Sequence, residues 1–174
     1  MSIAKETLNG VAIWPFSHME FEGDALWILG GLYTWKAKAE QTGGAYSLCE
    51  VQGPAGFSIP RHIHDGEDEA FFVGTGQATL LVNEEEITLQ LGGFAFVPRG
   101  TVHTFRLDEE ATKLFLLVTP GGIGHEAMFA EMGQPATERV IPPPPSDVDP
   151  EKLGALAARH GTRIVGPPLL SAAG

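Results

Sequence analysis

Four side chains in this sequence have the types and spacing of a metal site. His62 and His64 are separated by one residue, Glu69 follows shortly after, and His103 comes later in the chain. Side chains alternate along a β-strand, so His62 and His64 would point to one face, and a turn at Asp65-Gly66 would bring Glu69 opposite them. Three imidazoles and one carboxylate suit one divalent transition metal ion: Fe, Mn, Ni, Co or Zn. The pattern predicts the ion but does not choose among these metals.

Two neighbouring carboxylates are rivals to Glu69. Asp68 would point to the opposite face of the strand, and Glu67 lies outside the predicted strand. We therefore favour Glu69 as the ligand. We expect the remaining histidines at the surface: His18, His125 and His160.

Short β-strands must position these residues. The chain contains 22 glycines and 13 prolines, which divide it into brief apolar or alternating segments. Such strands, closely spaced, are typical of an all-β sandwich or barrel. We predict strands at 26–28, 31–36, 45–51, 57–59, 69–73, 77–82, 86–91, 94–97, 102–107 and 113–119.

Three regions follow from this pattern. Residues 1–24 read as an N-terminal arm, 25–119 as a β-barrel, and 120–174 as a helical, proline-rich tail. Helical spacing of apolar residues predicts a helix over 125–132. A second short helix should begin after Asp149, a suitable N-cap residue, and end near His160.

Composition excludes several functional classes. The net charge of −11 and the lack of clustered Lys and Arg argue against nucleic acid as a partner. No apolar run approaches the roughly 20 residues of a membrane helix, and Met1 to Phe16 show no secretion signal. With one cysteine, Cys49, no internal disulfide is possible, so we expect a cytoplasmic protein.

The two histidine-containing stretches resemble the two sequence motifs of the cupin superfamily. Nine positions match at the family's offsets: Gly56, His62, His64, Glu69, Gly76, Gly92, Pro98, Gly100 and His103. Leu107 stands where the family has Asn. The resemblance implies an all-β cupin jelly-roll β-barrel with the metal inside, here with a short C-terminal helical extension. In layout the chain is similar to one-domain cupins of the quercetin 2,3-dioxygenase type.

This resemblance implies a metal-dependent dioxygenase acting on an enol or phenolic, flavonol-like substrate with O₂. Glu69 would then be both a metal ligand and the catalytic base. A non-oxidative isomerase, cyclase or decarboxylase is the alternative, because the same site can stabilise an enediolate. A non-catalytic small-molecule-binding cupin is the third possibility. Cupins commonly pair through their sheets, so the resemblance also implies a homodimer.

A substrate pocket would need apolar walls above the metal. We expect most phenylalanines in the core, namely Phe57, Phe71, Phe94, Phe96, Phe105 and Phe115. Some residues would instead line the pocket, and our candidates are Tyr46, Ile59, Phe105 and Phe115. The predicted helix with Met128, Phe129 and Met132 would either cover the barrel mouth or pack on the outer sheet.

Overall fold

Antiparallel β-strands make up most of this fold. The computed structural model describes residues 6–8 and 11–170. Within these residues the strands are β1 (Glu6–Leu8), β2 (Val11–Ile13), β3 (Ala25–Ile28), β4 (Gly31–Ala37), β5 (Ser47–Gln52), β6 (Pro60–His64), β7 (Asp68–Thr75), β8 (Gln77–Val82), β9 (Glu85–Gln90), β10 (Phe94–Val97), β11 (His103–Leu107), β12 (Lys113–Thr119), β13 (Gln134–Pro135) and β14 (Thr162–Pro168). The helices are α1 (Ala39–Thr42), α2 (His125–Met132) and α3 (Pro150–Arg159). The all-β expectation is confirmed.

Two sheets enclose the core. One has seven strands in the order β10-β7-β12-β5-β4-β3-β13, and the other has five in the order β14-β6-β11-β8-β9. Strands β1 and β2 form a separate hairpin. Non-consecutive neighbours such as β7 and β12 mean that the chain crosses repeatedly between the sheets, which ties both sheets together.

Buried and partly exposed side chains alternate along the strands, and the buried ones form the core between the two sheets. Leu114, Leu116 and Val118 of β12 are buried, whereas the residues between them are partly exposed. Phe71 from the larger sheet meets Phe105 from the smaller one, with ring centroids 6.2 Å apart. This contact joins the two inner faces close to the predicted metal ligands.

Most predicted elements are present, with instructive differences. The helix over 125–132 and the Asp149 N-cap are confirmed, since the Asp149 carboxylate accepts hydrogen bonds from the amides of Glu151 and Lys152. The strand predicted at 57–59 is wrong, because β6 spans Pro60–His64. Phe57 instead packs into the core beside Phe105. Phe94 and Phe96 are 64% and 55% exposed, because the edge strand β10 turns them outward.

The C-terminal region contributes strands that its composition did not suggest. β14 pairs with β6 and places Thr162 opposite His64 and Ile164 opposite His62. β13 pairs with β3 at the far edge of the larger sheet. Both strands lie after residue 119, so residues beyond the predicted barrel range add a strand to each sheet. Pairing between residues distant in sequence depends on tertiary contacts, which local patterning does not encode.

No helix among the described residues is long and apolar enough to span a membrane.

Candidate metal centre

The smaller sheet places the three predicted histidines together. β6 carries His62 and His64 on its inward face, and β11 pairs beside it with His103 in register with His62. The ring centroids of His62 and His103 are 4.4 Å apart, and those of His62 and His64 are 4.6 Å apart. Strand alternation and strand pairing therefore produce a compact imidazole cluster.

Glu69 reaches this cluster from the opposite sheet. It lies on the inward face of β7, two residues before Phe71. Its Oε2 atom is 2.9 Å from His103 Nε2 and 3.4 Å from His64 Nε2. All four side chains are buried, and their potential ligand atoms lie within 4.8 Å of one another.

Hydrogen bonds on the far side of the rings orient the histidines. Nδ1 of His62 is 2.8 Å from the Pro60 carbonyl, and Nδ1 of His103 is 3.0 Å from the Thr101 carbonyl. A carbonyl only accepts, so each Nδ1 carries the proton and donates it. The Nε2 lone pairs consequently point toward the centre, as in metal-binding histidines.

The polar atoms at the centre fit a cation. His64 Nε2 is buried and forms no hydrogen bond with any described residue. With its proton on Nδ1, His103 would direct a lone pair at the Glu69 carboxylate across 2.9 Å. Two acceptors this close would repel each other, and either a proton or a metal ion between them removes the repulsion. The donor set of three His and one Glu is therefore consistent with a divalent metal site, and it leaves the metal's identity open.

Burial and local charge set the protonation of the ligands. Burial lowers the pKa of His62 well below its usual value, and burial together with His125 lowers the pKa of His64. Burial alone would raise the pKa of Glu69. Its contacts with His103 and His64 outweigh that effect and hold the pKa well below its usual range. These shifts favour neutral imidazoles at His62 and His64 and an ionised carboxylate at Glu69, the forms that bind metal.

A second pair of titratable groups lies next to this centre. His125 Nδ1 is 2.7 Å from Glu67 Oε2, and both side chains are buried. The His125 ring packs on His64 with centroids 4.2 Å apart. Burial opposes the charges of this pair, but their hydrogen bond prevails, so the pKa of Glu67 is lowered and that of His125 is raised.

An apolar cavity of about 60 Å³ adjoins three of the four ligands, His62, His64 and Glu69. Helices α2 and α3 and strand β14 close it on one side. Its walls include Ile28, Leu29, Tyr33, Ile59, Phe105, Leu116, His125, Met128, Phe129, Met132, Leu153, Ala157, Thr162 and Ile164.

The structure sorts the predicted pocket residues into two groups. Ile59, Phe105, Met128, Phe129 and Met132 line the cavity, so α2 lies across the barrel mouth and not on the outer sheet.

Tyr46 and Phe115 are placed differently, which corrects the expectation for both. They line a groove on the outside of the larger sheet. Phe115 alternates with the inward Leu114 and Leu116 of β12, so its ring must point outward. Tyr46 is 37% exposed just before β5.

Sequence reasoning set Glu67 aside as a rival ligand, expected His125 at the surface and did not single out Thr162. Glu67 lies two residues before Glu69, and side chains two residues apart on a strand point to the same face. Strand alternation could therefore have placed both carboxylates together. Asp68, the residue between them, indeed points outward and pairs with Arg99 at 2.9 Å. His125 was expected at the surface but is 3% exposed, because α2 folds back onto the barrel. Nothing local signals that fold-back.

Comparison of the sequence with known proteins identifies the family of this chain. A family model described as a cupin domain matches residues 50–120. The chain is a cupin-domain protein. This cupin is similar to quercetin 2,3-dioxygenase of Bacillus subtilis (strain 168), with 34% identity over 128 residues, 74% of this chain and 37% of that protein. Quercetin 2,3-dioxygenase of Aspergillus japonicus is 29% identical over 119 residues, 64% of this chain and 33% of that protein.

The cupin spans only about a third of the length of these two relatives. Among solved structures, KdgF from a Halomonas species has a TM-score of 0.55 and 18% identity, covering 62% of this chain and 94% of that chain. At that identity the likeness concerns the fold, a two-sheet jelly roll with few short helices.

Proposed function

We propose that this cupin is a metal-dependent dioxygenase for an enol or phenolic substrate. The observation that carries the proposal is the buried cluster of three His and one Glu at the base of an apolar cavity. Similarity to two quercetin 2,3-dioxygenases supports oxidative chemistry. A bound divalent metal would supply Lewis-acid stabilisation of a deprotonated enol oxygen and, if redox-active, electron transfer with O₂.

The residues of the chain have separate tasks in this proposal. His62, His64 and His103 hold the metal, and their Nδ1 hydrogen bonds keep the rings oriented. Glu69 is ionised and buried at the cavity floor. It is therefore placed to accept the proton of a substrate hydroxyl, as a general base must be. The apolar walls exclude water from the reacting oxygen.

The size of the cavity constrains the substrate. Pockets for drug-sized ligands have volumes of roughly 300–1,000 Å³, whereas this cavity measures about 60 Å³. A flavonol would need α2 and α3 to move away from the barrel mouth. A compact enol or a catechol-sized phenol needs less movement, so we place small substrates first.

Oxygen uptake tests the proposal. The protein is loaded separately with Fe, Mn, Ni, Co or Zn, and O₂ consumption is measured with quercetin, catechol and acetylacetone. We expect uptake with at least one redox-active metal, none with Zn, and a large loss in the Glu69→Gln variant. Substrate turnover under strict anaerobiosis would contradict the dioxygenase assignment.

A non-oxidative isomerase, cyclase or decarboxylase is the second candidate. The Glu69 carboxylate and the His125 imidazole line one small cavity, Glu67 is hydrogen-bonded to His125, and such groups carry out proton transfer. Anaerobic turnover would establish this candidate. Tight binding of a small molecule without any turnover would instead favour a non-catalytic binding cupin.

A further inference from the structure

His125 is a buried polar group in the wall of a mostly apolar cavity. Apart from His62, His64 and Glu69, the polar side chains that line the cavity within the described residues are Tyr33, His125 and Thr162. The Thr162 hydroxyl is already bonded to His64 Nδ1 at 2.9 Å. Burying a polar group costs free energy unless the group gains a hydrogen-bond partner. Each ring nitrogen of the buried His125 is therefore expected to have a partner.

Glu67 fixes the position of this imidazole. One carboxylate oxygen accepts a hydrogen bond from His125 Nδ1, while the other accepts from the Gly124 amide at 2.9 Å. The same carboxylate therefore caps the N-terminus of helix α2 and holds the ring of His125, the first residue of that helix. Gly124 packs closely against α3, because an added Cβ would lie 2.2 Å from the His160 carbonyl oxygen.

The other ring nitrogen remains available. His125 Nε2 is 3.7 Å from Glu69 Oε1, beyond hydrogen-bond distance. Glu69 Oε2, the second oxygen of the same carboxylate, faces His64 and His103. His125 Nε2 and the metal site thus lie beside the two oxygens of one carboxylate. The His125 ring lies 4.2 Å from the ring of the metal ligand His64, measured between centroids, so a short molecule with oxygens on neighbouring carbon atoms would reach both groups.

We propose that His125, held by Glu67, anchors a small substrate that carries two adjacent oxygens. One oxygen forms a hydrogen bond with His125 Nε2, and the other lies at the metal site. The inference rests on the proposed function and narrows its substrate class to vicinal enediols, catechols and α-hydroxy enones. His64, Glu67 and His125 are also close enough to suggest a second metal site, which the experiment tests as the opposing outcome.

Binding of two probes tests the anchor without requiring turnover. Catechol has two adjacent oxygens and phenol has one, and both are titrated calorimetrically into the metal-loaded protein. The variants are His125→Phe, which keeps an aromatic ring on His64, and His125→Gln, which keeps a polar end. The matched control is His160→Gln, because His160 forms an equivalent pair with Glu131 at 2.7 Å outside the cavity.

We expect His125→Phe to weaken catechol binding about tenfold, the equivalent of one hydrogen bond, while phenol binding changes less than about twofold. His125→Gln should recover part of the loss, and His160→Gln should bind both probes as the wild type does. All variants should hold one metal ion per chain. The His125→Phe substitution leaves the buried Glu67 carboxylate without its partner, which can destabilise the fold. If this variant does not fold, the Glu67→Gln/His125→Phe double variant is used in its place.

Three results would overturn the anchor. They are an unchanged ratio of catechol to phenol affinity in His125→Phe, two metal ions per wild-type chain, or loss of the metal in His125→Phe. Failure of the proposed function has a different signature. In that case catechol binding depends on His125, yet no substrate consumes O₂.

Discussion

The ligand residues form an arrangement that is costly without a cation. Four polar side chains are buried together, and His64 Nε2 has no hydrogen-bond partner among the described residues. Buried polar groups without partners cost roughly 1–3 kcal/mol each. A metal ion would satisfy these lone pairs at once, so the cluster links metal binding to stability.

Ligand substitutions should separate metal binding from proton transfer. His62→Ala, His64→Ala and His103→Ala each remove one imidazole, and we expect metal content to fall sharply in every case. Glu69→Gln keeps an oxygen donor, so it should retain part of the metal and lose turnover. Elemental analysis by mass spectrometry measures this, with His160→Ala as the control. Full metal content in the His103→Ala variant would contradict the assignment.

Chelation should destabilise the protein. A ligand that binds only the folded state stabilises it by about 2.7 kcal/mol at a hundredfold excess over Kd. We therefore expect EDTA to lower the Tm, and re-addition of metal to restore it, in thermal unfolding followed by circular dichroism. An unchanged Tm in a protein shown to contain metal beforehand would contradict a structural link between the ion and the fold.

At the scale of elements, Phe129 links α2, which lines the cavity, to the larger sheet. This ring is buried and contacts Tyr33, Trp35 and His125, with centroid distances of 5.1, 5.5 and 5.4 Å. The contacts join the helix to β4 of the larger sheet. Phe129 is therefore both a core residue and part of the cavity wall.

Truncating Phe129 should separate these two roles. Phe129→Ala is expected to lower the free energy of unfolding by about 3–5 kcal/mol, measured by urea denaturation, because it leaves a cavity. The enlarged cavity should also strengthen binding of quercetin relative to catechol. Phe94→Ala is the matched control, since Phe94 is 64% exposed and its loss should cost less than about 0.5 kcal/mol. An unchanged quercetin-to-catechol ratio would show that the helix does not limit substrate size.

Helix α3, which also closes the cavity, depends on its N-cap. Hydrogen bonds from the Lys152 amide and side chain hold the pKa of Asp149 below its ordinary value. A carboxyl with a depressed folded pKa stabilises the fold above its unfolded pKa of about 3.9 and loses that effect as pH falls through the folded value. Asp149→Ala should therefore increase hydrogen exchange over 150–159 at pH 7.

The effect of Asp149→Ala on Tm should shrink as the pH is lowered below about 3.9. Asp149→Asn supplies the control, because it retains an oxygen acceptor but does not titrate. A pH-independent difference between wild type and Asp149→Ala would show that the carboxylate charge adds nothing to the cap.

At the scale of the whole molecule, the outer face of the larger sheet carries an exposed aromatic patch. We define the outer aromatic patch as Phe72, Phe94 and Phe96, which are 44%, 64% and 55% exposed. Phe94 pairs directly with Phe72 across β10 and β7. Contiguous exposed apolar surface commonly marks an interface, so we propose that this patch joins two copies of the cupin.

The homodimer should depend on this patch. Phe94→Glu/Phe96→Glu adds charge to a chain that already carries −11, so we expect monomers in light scattering coupled to size exclusion. The dissociation constant of the wild-type dimer should fall as salt is added, because salt screens the repulsion between the two acidic chains. Ile123→Glu is the control, as Ile123 is 60% exposed but lies outside the patch. A monomeric wild type, or a dimeric double variant, would contradict the proposal.

The sequence by itself determined the features that depend on local geometry. Strand alternation brought His62 and His64 to one face, and motif spacing identified Glu69 and His103. Helical spacing fixed α2, and the Asp149-Pro150 pair fixed the start of α3. The histidine pair and the two helix signals require only neighbouring residues, whereas Glu69 and His103 follow from their match to the spacing of the cupin motifs.

Tertiary structure alone decided what surrounds the metal site. The return of α2 across the barrel mouth buried His125 beside His64, and the pairing of β14 with β6 brought Thr162 to His64 Nδ1. The same packing turned Phe115 and Tyr46 outward, away from the cavity. These contacts join segments far apart in sequence, and their free energy comes from burying surfaces that meet only in the folded chain. The spacing of residues therefore specified the metal ligands, while the packing of distant segments shaped the substrate cavity.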